Sequence, residues 1–293
     1  MSRILILFLW ACFGIFAPTA YADSVPEQQD STVVTGGGAH FAWVIFDQLK
    51  ADLERVTGHS IELHGRNSAL GMGCNAGIKI ALQNATGHET FGFVCCPLSK
   101  EEITRKQLKV YPLALEPIMI IVHHDNPVSN LSSEQVRAIM HGDITNWQKV
   151  GGRDEPIVLV TRLHCKKRPG HWKTILPDAK EFREKRLNVS SAADMEQTVG
   201  DFKGAIGHIG STWDFTADNH LKVVTVDGYE PTAENLHNKH YPFFRNLSAV
   251  TDQHPSDAVL TLIREVQTGP AFAAVAKRYG LLRIDSSVPS AMP

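Results

Sequence analysis

Short apolar runs alternate along this chain with stretches in which apolar residues recur every three or four positions. Val33 and Val34 within Thr32–Thr35 predict a short strand that runs into Gly36-Gly37-Gly38. Phe41, Val44, Ile45, Leu49 and Leu53 share one face of a helix over about 40–56. A strand over 60–63 follows, then a helix opening near Cys74 and ending by Gly87, then a strand through Phe91, Phe93 and Val94. Lys109–His123 holds a long apolar stretch, and Ser132 and Ser133 open a helix that runs to Met140. Further strands are expected at 156–160, 204–209 and 221–226, with helices near 171–176, 192–199, 256–267 and 270–279. Strands alternating with helices imply an α/β protein with mostly parallel sheets.

The strand through Val94 ends in Cys95-Cys96-Pro97, and strand ends are where ligands of α/β proteins usually sit. The pair is therefore either part of a structural disulfide or a thiol ligand site. The first residues bear on that choice. Met1-Ser2-Arg3 is basic, Ile4–Phe16 is apolar, and Ala20-Tyr21-Ala22 fits an export cleavage site, so residues 1–22 read as a signal peptide and the protein as periplasmic. The apolar run is too short for a confident membrane span, and no second segment of spanning length follows, so no stable membrane insertion is expected after cleavage. Leu9-Trp10-Ala11-Cys12 also permits a lipoprotein reading, which bulky Trp10 suits poorly. Of the five cysteines, Cys74, Cys95, Cys96 and Cys165 remain after cleavage, an even number in an oxidising compartment. A net charge of −2 gives no sign of a nucleic-acid or anionic-membrane partner. No Cys-x-x-Cys-His, Gly-x-Ser-x-Gly, His-Glu-x-x-His or P-loop pattern occurs, so neither covalent haem nor a familiar catalytic centre is indicated.

Several longer blocks carry a resemblance. Leu131-Ser132-Ser133-Glu134-Gln135 through Ile139, Gly142-Asp143-Ile144-Thr145-Asn146-Trp147 and Val150-Gly151-Gly152 form the most specific one. Gly204-Ala205-Ile206-Gly207-His208 is a second, and Asp227–Thr232 with Glu234-Asn235 and Tyr241-Pro242-Phe243 a third. In order and over nearly the whole mature chain, these blocks resemble the phosphate-binding proteins of bacterial ABC importers. That resemblance implies a two-lobed type II periplasmic binding protein fold, with a strand hinge and a ligand cleft between the lobes. The first lobe is expected over 30–113 and 227–293, the second over 114–226. It also implies a small ligand, an ABC permease as partner and no chemistry performed on the ligand. Lobe closure would retain the ligand, and helix N-termini would face the cleft.

The phosphate-contacting residues that the resemblance implies do not carry over. Gly36-Gly37-Gly38-Ala39-His40 stands where the family offers a hydroxyl, Cys74 where it has serine, and Thr90 or Glu89 where it has aspartate. Cys95-Cys96 replaces a Ser-Arg pair, and Arg162-Leu163-His164-Cys165-Lys166-Lys167 keeps the arginine of its block but not the hydroxyl and glycine cluster. All four mature cysteines fall at or beside such positions. Phosphate calls for hard donors and an arginine fork, whereas thiol and imidazole select soft or borderline cations. The expected site is Cys74, Cys95, Cys96 and Cys165 with His164 or His40, and with Arg162 as a further ligand-binding residue. Its ligand would be Cu(I), Zn(II), arsenite or a metal complex. A helix start at Cys74 would lower that thiol's pKa. A disulfide between Cys74 and Cys95 or Cys96 stays open, and so do two other functions: phosphate or oxyanion import, and a redox-active or metal-sequestering protein without a permease. His208 is expected to pack beneath the site. His123-His124 is expected at an exposed strand end and His237 and His240 in solvent, while the basic Lys166–Arg168 turn is expected either in solvent or attracting an anionic ligand.

Overall fold

The computed structural model describes residues 32–64, 73–83, 89–165, 168 and 170–284. The expected signal peptide, Lys166, Lys167 and the expected helix end at Gly87 lie outside the described residues. The elements in chain order are β1 (Val33–Gly38), α1 (His40–Thr57), β2 (Ser60–His64), α2 (Cys74–Ala81), β3 (Glu89–Val94), α3 (Lys100–Lys106) and β4 (Lys109–His123). Next come β5 (Asn130–Leu131), α4 (Ser133–His141), β6 (Val158–Thr161), β7 (Leu187–Asn188), α5 (Ala192–Asp201), β8 (Ala205–Gly210) and β9 (Leu221–Val226). The chain closes with α6 (Ala233–His237), β10 (Phe244–Thr251), α7 (Asp257–Thr268), α8 (Ala271–Tyr279) and β11 (Leu282–Arg283). No helix among the described residues is long and apolar enough to cross a membrane.

Among the described residues eleven strands join in the order β2-β1-β3-β10-β4-β8-β6-β7, with β5, β9 and β11 branching from this path. The 15-residue β4 is the spine. Its first part, up to Pro117, pairs antiparallel with β10, and its second part pairs antiparallel with β8 and β9. One strand thus runs from one half of the molecule into the other, which suits a two-lobed α/β fold joined by strand. A bulge at Leu247/Ser248 falls opposite Pro112, whose missing N–H cannot serve the ladder.

The sheet is more mixed than the strand–helix alternation predicts, because five of the strand pairings are parallel and five antiparallel. The difference comes from β4 and from β10, a strand the sequence pattern does not announce. Phe244-Arg245-Asn246-Leu247-Ser248 interleaves polar residues where a central strand is expected to be apolar. Arg245 is nevertheless buried, its charge met by Glu116 on the neighbouring β4.

Most helices start where the sequence says they should. Ser132 and Ser191 form capping boxes with Gln135 and Asp194, and Ser99, Thr232 and Ser256 cap α3, α6 and α7. α1, α2 and α8 follow Ala39, Gly73 and Pro270 and receive no side-chain cap. The expected helix at 171–176 is a single 3-10 turn over His171–Thr174.

One apolar core packs α1, α2, α7 and α8 around β1, β3 and β10. A second surrounds the latter part of β4 and includes Trp147, Trp172 and Phe182. α2 lies unusually close to the sheet. A Cβ on Gly92 of β3 would come within 1.9 Å of the Gly77 carbonyl oxygen of α2. Glycine at both positions lets the helix backbone rest on the strand backbone, which fixes where Cys74 stands.

Candidate functional site

α2 presents Cys74 from its first turn, and the strand it rests on delivers Cys95 and Cys96. β3 ends at Val94, so the period-two alternation of a strand no longer applies to this pair. Both cysteines turn inward and are buried, at 4% and 1% exposure. Cys95 faces Cys74, with the sulfurs 3.8 Å apart, and its backbone N–H donates to the Cys74 sulfur at 3.3 Å. Cys96 faces the other way, towards Cys165 at 3.0 Å and His164 Nε2 at 3.9 Å. Residues distant in sequence therefore converge on one spot. All four cysteines are free thiols here, and the alternative pairing of Cys74 with Cys95 or Cys96 is not formed.

The loop after β6 supplies the remaining groups. Cys165 adopts a left-handed backbone conformation with φ 59°, uncommon for a residue with a Cβ and a form of strain that concentrates at functional sites. The His164 carbonyl accepts from Trp172 Nε1 at 3.0 Å, tying the loop to the second core. His164 Nδ1 lies 3.3 Å from the Arg162 carbonyl. A carbonyl only accepts, so Nδ1 carries the ring proton and Nε2 turns a lone pair towards Cys96. Arg162 Nε donates to the Ser190 carbonyl at 3.0 Å.

Charge in the cluster is unevenly held. Hydrogen bonds from Cys165, then from Cys95 and Cys96, hold Cys74 well below the usual thiol range. The donors shift the opposite way: the bond to Cys74 pushes Cys165 up to about 11 and raises Cys95, and the bond to Cys165 raises Cys96. Of the four sulfurs, Cys74 is the one whose pKa is lowered, and it stands at the start of α2. Burial, with Arg162 and Arg245 adding to it, lowers His164 to about 4, so its imidazole is neutral. His208 is fully enclosed beneath the site and is lowered to about 3, chiefly by burial.

Around the thiols the field is positive. Burial lowers the Arg162 pKa. Arg245 lies over the Phe41 ring at 3.7 Å and pairs with Glu116, whose Oε1 also accepts from the Thr212 N–H and hydroxyl at 2.8 and 2.7 Å. An open groove of about 970 Å³ leads from solvent past Cys74, Cys165, His164 and Arg162. Glu102 of α3 and Arg168 close over it as a two-pronged ion pair of 2.6 and 2.5 Å, and the pair holds Glu102 at about 2.

Two sets of donors in this region have every ligand atom within 4.8 Å of the others: Cys74, Cys96 and Cys165, and Cys95, Cys96 and His164. His40 belongs to neither. Its ring packs against Phe41, Trp43 and Trp213, with centroids 5.5, 6.1 and 5.6 Å away. A third set, His123, His124 and His220, lies at the far end of β4. There His123 Nδ1 already accepts the Asp125 backbone N–H at 3.0 Å, which leaves its proton on Nε2. His240 stacks on Tyr229, with ring centroids 4.4 Å apart. Sequence reasoning did not find Arg245, Glu116 or the Glu102–Arg168 pair. The available signal was Glu116, a charge inside the apolar run of β4.

The fold and cleft define a class. Residues 25–269 match the model of the PBP superfamily domain, and the chain belongs to that superfamily. Among solved structures it is similar to a phosphate ABC-transporter substrate-binding protein with bound phosphate from Clostridium perfringens, at 28% identity and TM-score 0.69, covering 86% of this chain and 100% of that one. An ABC-type phosphate transport receptor from Vibrio cholerae shares the fold, at 21% identity and TM-score 0.63 over 86% of this chain and 100% of that one. Of the characterised relatives, the phosphate-binding protein PstS of Borreliella burgdorferi is 22% identical over 97% of this chain and 99% of its own length. PstS of Bacillus subtilis is 27% identical over 50% of this chain, a match that spans only 47% of that relative's length.

Proposed function

We propose that this protein is the solute-binding component of an ABC-type importer or delivery system, and that its cleft takes a soft metal ion, a metalloid or a metal complex. Kinship supports the first half, with the expected periplasmic location, a permease as partner and no chemistry on the ligand. The second half is carried by one observation: four thiols and a neutral imidazole converge at the head of a groove. Buried sulfur donors beside a lone-pair-bearing nitrogen match Cu(I), Zn(II) or arsenite far better than an oxyanion. The uncapped start of α2 favours negative charge, and a thiolate at Cys74 exploits it.

Phosphate remains the second reading, and the named relatives favour it over a metal. Arg162 and the uncapped starts of α1 and α2 are the features that would serve it. A desolvated thiol is a poor donor to phosphate, however, and no hydroxyl caps either helix. Anaerobic titration of the reduced protein with Cu(I), Zn(II) and As(III), run beside phosphate calorimetry, separates the two. Tight binding of a soft species without phosphate binding is expected. Sub-micromolar phosphate affinity with no metal uptake reverses the conclusion.

A further inference from the structure

We infer that the cleft binds two Cu(I) ions, with the Cys96 thiolate bridging them; the inference rests on the reading that the cleft takes a soft metal. The donors form two overlapping sets, and Cys96 is the one residue common to both. Two thiolates on a single ion stand at most two metal–sulfur bonds apart, about 4.6 Å. Four sulfurs and the His164 nitrogen make five donors in two sets, one more than a four-coordinate ion takes, so one ion cannot hold them all. Two ions can. One would sit among Cys74, Cys96 and Cys165, the other among Cys95, Cys96 and His164.

The shared position is also the right chemistry, because a thiolate has lone pairs enough for two metals and an imidazole nitrogen does not. The 3.8 Å between Cys74 and Cys95 links the sets a second time, through sulfurs on neighbouring ions. Each set offers three donors, which satisfies Cu(I), whereas structural zinc closes with four. Arsenite would fill the three-thiol set and leave the second unused. Charge points the same way. On loading, each sulfur still protonated releases its proton to solvent and copper stays Cu(I). Two Cu(I) ions halve the four negative charges of the sulfurs in this buried site, where one ion would leave three.

The test uses the full chain, reduced and anaerobic, titrated with Cu(I) supplied as its acetonitrile complex, then desalted and analysed for copper. Two copper ions per chain are expected, and no more than one in Cys96→Ser. Cys95→Ser and Cys165→Ser should each hold one, because each damages a single set. A wild-type ratio of one, or any ratio above two, overturns the bridge while leaving a soft-metal cleft intact. A ratio of zero overturns both. Should Cys96→Ser fail to fold, X-ray absorption on the loaded wild type decides: a copper–copper scattering shell supports the bridge, and its absence rejects it.

Discussion

His164 has one ring nitrogen committed to the Arg162 carbonyl and the other aimed at Cys96, so it stands preoriented and neutral, as the proposed metal site requires. His164→Ala is expected to weaken Cu(I) affinity by roughly 10- to 100-fold, read by competition with a chromophoric chelator. His208 tests the electrostatics separately. Its folded-state pKa of about 3 lies below the ordinary 6.5, so the unfolded chain binds the extra proton first. The stability it contributes is fully present above 6.5 and is lost as pH falls from there towards 3. Thermal melts between those values should show a slope that His208→Asn reduces. The gathering of the four cysteines was legible from their positions in blocks resembling a ligand site. Which sulfur faces which was not, because Cys95 and Cys96 lie past the end of β3, where no periodicity governs direction. Arg245 and Glu116 were hidden too: each looks anomalous alone, and their pairing across strands far apart in sequence is visible only when folded.

At the scale of elements, Cys74 is placed by the backbone contact between α2 and β3. Gly77→Ala inserts a methyl 2.4 Å from the Phe93 carbonyl oxygen, a clash that only movement of the helix relieves. A loss of about 1–3 kcal/mol is expected in denaturant unfolding, together with weaker metal binding as Cys74 is displaced. Strong caps and regular apolar faces made α4, α5 and α7 readable to within a residue or two. β10 escaped because Arg245 and Asn246 interrupt its apolar pattern, and burial of Arg245 depends on a partner that local sequence does not reveal. The starts of α1 and α2 were legible from their apolar faces although neither has a side-chain cap. In the folded protein these two helices open beside His40 and Cys74.

For the whole molecule, Glu102 and Arg168 bridge the two walls of the groove. Glu102→Gln should cost roughly 1–2 kcal/mol in thermal or denaturant unfolding, because a charge-assisted pair becomes a neutral one. Since Glu102 is held at about 2, below the ordinary 4.5, the pair contributes fully above 4.5 and fades as pH falls towards 2; the variant should lack that dependence. Loading should raise the melting temperature, with about 2.7 kcal/mol gained when free metal reaches 100 times its Kd. The central position of β10 has a temporal consequence. Until Thr251 has been added to the chain, the strand leading to Cys95 lacks its neighbour on one side and β4 lacks the partner of its first half. Long-range pairings of this kind form late, so the nascent chain passes through a period in which its sulfurs are reachable but not yet arranged, and whatever fills the cleft must arrive after most of the polypeptide has emerged.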